Sequence, residues 1–425
     1  MRETTVLALS ALPQGRLMTP GTRRWTIVWL LFAAGFINYL DRAIVSVALP
    51  RIAADLHLGP ESKGVLLSAF FWSYALMQLP MGYCSDRFNP RWLYAGMFAL
   101  WSAACGVTGF AGTLGILLGL RVILGVGESI YLPGGIKVVS LLFDSDARGL
   151  ASGLVNCGTR LGLALGTPVI AWLVVRYGWR RTFMILGFSS LVWLVPWLLS
   201  YPSENFSRPA PARLGGNAPV NWRNRNLLGL CLGQIGFSYY WYLLVTWLPD
   251  YLVEARHMPL QRAGAFAVIP FLIFSVSEPL GGWIADRLVR FGWDESRVRK
   301  GIITGAFLTS LALLPAGRMA DDTAAIWLIG AASMVGLATG NILALLQRIA
   351  PHGEVGMWTG ILNFAGNLSG IVAPLVTGIL IGRTSSYFPG FAVAVGVLVA
   401  AIPAYWLIVG DVNVPAALGV GIDGT

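Results

Sequence analysis

The sequence predicts an all-α membrane protein: twelve spanning helices arranged as two pseudo-symmetric six-helix bundles. Three observations lead there. Of 425 residues, 56% are hydrophobic and only 12% charged, where a soluble globular chain carries about a quarter charged residues. Apolar windows of about 20 residues, each long enough to cross ~30 Å of hydrocarbon as a helix, recur from end to end. A short polar signature, G-x-x-x-D-R, ends the second window at Gly82, Asp86 and Arg87 and recurs at Gly282, Asp286 and Arg287.

The first six windows run Trp25–Pro50, Ser62–Cys84, Arg91–Phe110, Thr113–Lys137, Ala147–Arg176 and Trp179–Ser200. The second six run Asn226–Val253, Leu260–Asp286, Arg299–Gly317, Ala324–Gln347, Glu354–Ile381 and Tyr387–Gly410. Residues 1–24 hold Arg2, Arg16, Arg23 and Arg24 but no compact apolar core ending in small residues, so they read as an uncleaved cytoplasmic leader. Residues 201–225, with Pro202, Pro209, Pro211, Pro219, Gly215, Gly216 and four arginines, read as a polar cytoplasmic linker. It separates an N-terminal bundle, 25–200, from a C-terminal one, 226–410, and residues 411–425 form a cytoplasmic tail. The G-x-x-x-D-R pair falls at matching positions of these halves, as in a duplicated transporter fold.

Charge sets the orientation. With the N-terminus inside, seventeen of the 30 Lys and Arg face the cytoplasm and nine the outside, which places both termini inside by the positive-inside rule. The net charge of +10 is thus mostly topology and calls for no nucleic acid. Cys84, Cys105, Cys157 and Cys231 lie in or beside spans without close pairs or histidines, so neither a disulfide nor a metal is expected. His57, His257 and His352 sit in short connections and read as solvated.

The least lipid-compatible stretch is Phe36 to Ser46, FINYLDRAIVS, with Asp41 and Arg42 inside an apolar run. Ionisable groups at membrane depth are costly and call for a compensating role. We read them as part of a substrate and proton site.

The loop after the second span, with Gly82, Asp86, Arg87 and Arg91, resembles the signature of the major facilitator superfamily over nearly the whole chain. The stretch Asn38 to Arg42, the run WSYALMQLPMG from Trp72 to Gly82 and the run LRVILGVGES from Leu120 to Ser129 resemble the anion:cation symporter family. That family includes bacterial carriers of galactonate, glucarate and hexuronates, carriers of tartrate and aromatic carboxylates, and vesicular and lysosomal organic-anion transporters. Resemblance to its D-galactonate branch implies proton coupling at Asp41 and Glu128, and anion binding at Arg42 and Arg121 with Tyr39 and Tyr74 nearby. It further implies a monomeric carrier of the cell inner membrane, with a small organic anion as partner and protons in place of a cofactor.

Helix geometry supports these assignments. At 1.5 Å per residue, Asp41 and Arg42 lie about 5 Å outward of the bilayer midplane, Arg121 about 6 Å outward and Glu128 about 5 Å inward. Arg121 and Glu128 are seven apart and share a face, while Gly125 and Gly127 thin that helix for a close neighbour. Asp41 and Arg42 differ by about 100°, so each needs a partner on another helix or in the substrate. Two carboxylates and two arginines sum to zero, and protonating one carboxylate frees one positive charge for an organic anion. A bland alternative is that such pairs merely staple helices together; four ionisable groups clustered in depth favour a site.

Arg160 in the fifth span and Glu278 in the eighth, about 7 Å inward of its middle, are expected to meet as a cytoplasmic-side gate, with a static packing pair or a direct substrate role for Arg160 as the competing readings. In the second half Gln234, Tyr239, Tyr240, Trp241, Asn341, Trp358, Asn363 and Asn367 offer neutral donors, acceptors and ring faces suited to a polyhydroxylated or aromatic acid. Among these Gln234, Trp358, Asn363 and Asn367 are taken as substrate-binding, the last two sharing a helix face. At the cytoplasmic helix ends Asp86, Arg87, Arg91, Asp286 and Arg287 are expected to cap and bridge helices in one access state. The expected activity is uptake of a sugar acid with protons. A proton-coupled exporter, or an exchanger of aromatic or dicarboxylic acids, is the alternative. A drug exporter fits less well, because Gly166, Thr167 and Pro168 give only a fragment of a Gly-Pro-rich run. No nucleophile, metal cluster or large extramembrane domain suggests an enzyme.

Overall fold

The computed structural model describes residues 21–143, 145–201, 224–351 and 355–411, and the side chains at 21, 22, 79, 86 and 145–150 lie outside that description. The leader through residue 20, most of the linker and the tail beyond Asp411 also lie outside it, together with His352. Regular structure among the described residues is helical throughout.

Six rods form the first half. They are α1 (Gly21–Leu56), α2 (Pro60–Arg87), α3 (Pro90–Thr108), α4 (Leu114–Leu142), α5 (145–177) and α6 (179–200). The second half holds α7 (Arg225–Ala255), α8 (Leu260–Arg290), α9 (Glu295–Ala316), α10 (Asp322–Ile349), α11 (Val355–Thr384) and α12 (Phe388–Ile408). Nine helical stretches among the described residues are long and apolar enough to cross a membrane on length and composition alone. One of them, Ala151–Ser200, turns back at Gly178, whose φ of 81° suits glycine, and so supplies two spans. The other two of the twelve, α2 and α3, are less apolar, and α2 carries Ser68, Ser73, Tyr74 and Gln78 toward the interior.

Local chemistry sets the ends. Asn89 caps α3 with Pro90 at its first position, and Thr113, Asn224, Asp294 and Asp321 cap α4, α7, α9 and α10 by accepting from backbone N–H groups. The connections before α2 and α8 each contain a histidine in the left-handed region, His57 and His257, both at φ 53°. These two sit at the same offset as the paired G-x-x-x-D-R signatures, so the duplication reaches the backbone of the turns.

The halves meet along α1 with α7, α2 with α11, and α5 with α8. Glycines bring the α2–α11 and α5–α8 crossings close. A Cβ on Gly64 would lie 2.7 Å from the Pro374 carbonyl oxygen, and one on Gly378 would lie 2.7 Å from that of Pro60. At the matching position of the second half, Gly264 sits against Ala171. Large side chains cannot occupy such crossings without separating the helices.

Candidate functional site

The ionisable groups of α1 and α4 converge. Arg42 Nε donates to Glu128 Oε2 at 2.8 Å, and the Glu128 side chain is fully buried. The Arg42 guanidinium also lies over the rings of Tyr39, Phe70 and Tyr74, at 5.0, 4.7 and 4.4 Å from their centroids. Arg121 donates from Nη1 to the Asp41 backbone carbonyl at 3.4 Å and stands over Phe70 at 5.4 Å. Asp41 accepts at Oδ1 from the Cys105 thiol at 3.1 Å. Gly125 and Gly127 do thin α4, the first against Ser73 and Phe70 of α2, the second against Trp101 of α3.

The two arginines border a cavity between the halves, with Asp41 and Glu128 buried behind them. Tyr39, Arg42 and Arg121 line one side and Trp241, Tyr242 and Thr246 of α7 the other, around a free volume of about 20 Å³. That is room for about one water. Any solute larger than water therefore enters only when the halves part.

A second pair crosses the halves as expected. Arg160 binds Glu278 through both carboxylate oxygens, Nε to Oε2 at 2.8 Å and Nη2 to Oε1 at 3.1 Å, with its guanidinium over Trp241 and Phe274 at 5.4 and 5.3 Å. On the opposite seam Asn363 Nδ2 donates to Gln78 Oε1 at 3.4 Å.

Twelve rods in two related halves, with a charged centre in the first, make the fold and its comparisons agree. A model of the Major Facilitator Superfamily matches residues 31–293. The chain belongs to that superfamily. It is 30% identical to a D-galactonate transporter of Escherichia coli O6:H1, over 93% of this chain and 97% of the relative. It is 27% identical to a hexuronate transporter of Bacillus subtilis, over 88% and 92%. A solved bacterial homolog of the human lysosomal transporter Spinster, inward-facing and unoccupied, shares the fold with a TM-score of 0.79 at 17% identity, covering 94% of this chain and all of that one. The protein is a membrane transporter and not an enzyme.

Residues of the second half line the cavity as well, and here several expectations change. Trp241 lines the cavity, but Tyr239 and Tyr240 are buried elsewhere, with the Tyr240 hydroxyl donating to the Ala332 carbonyl inside the second half. The ring that joins Trp241 is Tyr242, which sequence reasoning passed over; its hydroxyl donates to Asn367 Oδ1 at 2.6 Å. Trp358 is buried, Gln234 donates to Ser238, and Asn363 is engaged with Gln78, so none of the three borders the cavity. Asn341 belongs to a packing network, donating to the carbonyls of Gly281 and Leu337 and accepting from Arg299.

The loop signature is also rearranged. Asp286 accepts from Arg299 of α9 at 2.9 Å, while Arg287 rests on Trp283 and Phe291 of its own neighbourhood and bridges no carboxylate among the described residues. In the first half Arg87 lies over Tyr83 and Arg91 donates to the Leu198 carbonyl at 2.7 Å, at the end of α6. The Asp86 side chain lies outside the described residues.

One interaction was not anticipated at all. Lys63 Nζ of α2 binds Asp250 Oδ1 of α7 at 2.9 Å, and the hydroxyl of Tyr387, just before α12, donates to Asp250 Oδ2 at 2.6 Å. Asp250 is fully buried near the C-terminal end of α7, beside the Gly64 crossing. Its signal in the sequence is an aspartate closing an otherwise apolar span, TWLPDYL.

Proposed function

We propose that the protein is a proton-coupled symporter that takes up an organic anion of the sugar-acid class by alternating access. The observation that carries this reading is the Arg42–Glu128 pair, in which Arg42 lines the cavity and Glu128 is buried behind it. While Glu128 is ionised it occupies the donor that a substrate carboxylate needs. A proton on Glu128 releases Arg42, and the anion takes over the charge-assisted hydrogen bond. Proton and anion then bind cooperatively, each raising the other's affinity by the same factor. Asp41, held by Cys105 near Arg121, is the second proton-carrying group, and Arg121 is the second anion-binding arginine.

The names of the relatives support a sugar acid, since they include galactonate and hexuronate transporters. A bidentate arginine reads the carboxylate, and the rings of Tyr39, Trp241 and Tyr242 offer flat faces to the C–H surface of a sugar chain. The same rings favour a second reading, an aromatic acid as cargo. Uptake would be driven by the proton motive force at about 2.3 kcal/mol per charge per 100 mV across the inner membrane. The carrier works as a monomer with both termini in the cytoplasm and without a bound cofactor.

The test is uptake into proteoliposomes under an imposed inward pH gradient, with galactonate, glucarate, glucuronate, tartrate and 4-hydroxyphenylacetate as the panel. Gradient-driven accumulation of a sugar acid, abolished in Glu128→Gln, is the expected result. Accumulation of 4-hydroxyphenylacetate alone would select the aromatic reading. Full accumulation by Glu128→Gln would remove this glutamate from coupling.

A further inference from the structure

The basic residues on the outer side are not spread evenly. Four of the nine that the positive-inside rule assigns there, Arg51, Arg176, Arg180 and Arg181, gather where the end of α1 meets the turn from α5 to α6. Elsewhere on that side Lys63 and Arg256 are paired with Asp250 and Asp322. In the gathered set only Arg180 has a carboxylate. Asp55 Oδ2 accepts from Arg180 and also from Trp179 Nε1, the latter at 3.1 Å. Arg180 further donates to the Ala111 carbonyl at 3.4 Å and covers the Trp179 ring at 4.3 Å from its centroid. Arg51, Arg176 and Arg181 meet no acceptor among the described residues.

Three of these arginines line a groove of about 630 Å³, walled by Arg51 and Asp55 of α1, Val175 and Tyr177 of α5, and Arg180 and Arg181 of α6. With Asp55 the only carboxylate in its lining, the groove carries a net positive charge. It also continues into an apolar stripe. Leu165, Val169 and Trp172 follow one another along one face of α5, at steps of four and three residues, and each is about half exposed, as is Val175. Trp172 and Tyr177 stand edge to face at 6.0 Å, where the span gives way to the turn, the level at which aromatic rings meet lipid headgroups. An apolar stripe ending at unpaired guanidiniums matches a molecule with acyl chains and an anionic head. A soluble anion would engage the arginines and leave the stripe uncovered.

We propose that this groove binds the headgroup of an anionic phospholipid of the outer leaflet, with Arg51 and Arg181 holding the phosphate and an acyl chain lying along α5. Arginine meets phosphate oxygens through paired N–H donors, and Asp55 keeps Arg180 turned toward the protein. A zwitterionic headgroup brings its own cation into a positive groove and is held less tightly. Every lining residue belongs to the first half, so the lipid stays bound whether the halves are closed or parted.

The experiment is lipid retention by the delipidated full-length protein in detergent, read by native mass spectrometry with phosphatidylglycerol or phosphatidylcholine of the same acyl chains. The expected result is one phosphatidylglycerol bound about tenfold or more tightly than phosphatidylcholine, with that preference lost in the double variant Arg51→Gln with Arg181→Gln. Removing the same charge from two other exposed arginines, in Arg262→Gln with Arg383→Gln, should leave the preference intact. Equal retention of the two lipids by the wild type overturns the site without reference to any variant. An unchanged preference in the Arg51 and Arg181 variant also overturns it, as does an equal loss in both double variants, since net charge alone explains that. Release of phosphatidylglycerol by millimolar inorganic phosphate would overturn the lipid assignment in favour of a soluble anion.

Discussion

At the residue scale the account turns on one guanidinium. Arg42 carries a salt bridge on one edge and aromatic rings over its faces, so its geometry is fixed before any substrate arrives. Arg42→Lys keeps the charge and loses the planar fork. Charge-assisted hydrogen bonds are worth about 1.5–3 kcal/mol, so anion affinity should fall roughly 10- to 100-fold, which a titration of the purified variant would measure. An affinity within about twofold of wild type would mean that a point charge suffices and that the fork is idle. The arginine and its neighbouring aspartate were legible in the sequence because ionisable residues in an apolar run stand out. Their partners were not. The Cys105 thiol on Asp41 and the choice of Tyr242 over Tyr240 depend on helix rotation, and a residue's neighbours in sequence point the wrong way by about 100° each.

At the scale of elements, the start of α2, the end of α7 and the residue before α12 are held together by Lys63, Asp250 and Tyr387, on the side that the positive-inside rule assigns to the outside. Removing one partner of a buried pair leaves the other uncompensated, at a cost of about 3–5 kcal/mol. Asp250→Asn should therefore weaken the closed outer face and raise the population open to the outside. Val245 of α7 lines the cavity, and modification of Val245→Cys by a membrane-impermeant thiol reagent, added from outside, should be faster in that background by about tenfold or more. Equal rates would show that the glycine crossings alone keep the face shut. The helices themselves could be read from the sequence almost completely, since twelve apolar windows correspond to twelve rods and caps such as Asn89 and Asp294 stand where the windows begin. The latch could not. Lys63 and Asp250 are 187 residues apart, and only packing brings them together.

At the scale of the whole molecule, two halves close around a charged centre, with ties on both sides of it. Arg160 and Glu278 join α5 to α8, and Gln78 and Asn363 join α2 to α11. If the first pair gates the cytoplasmic side, the double neutral variant Arg160→Gln with Glu278→Gln should alter the rate of transport by about tenfold or more while leaving the fold monodisperse; unchanged transport would dismiss the gate. That pair was foreseeable from depth along the two spans. The fates of Arg287, Trp358 and Asn341 were not, because a repeated signature locates equivalent positions without saying what each side chain meets. The central claim is the exchange of Glu128 for a substrate carboxylate on Arg42, and proton counting tests it most directly. Adding saturating galactonate to the purified protein in a weakly buffered solution near neutral pH should draw protons from the medium. In Glu128→Gln the same addition should bind with much less uptake. Tight binding of the anion by the wild type with no proton taken up would contradict the account.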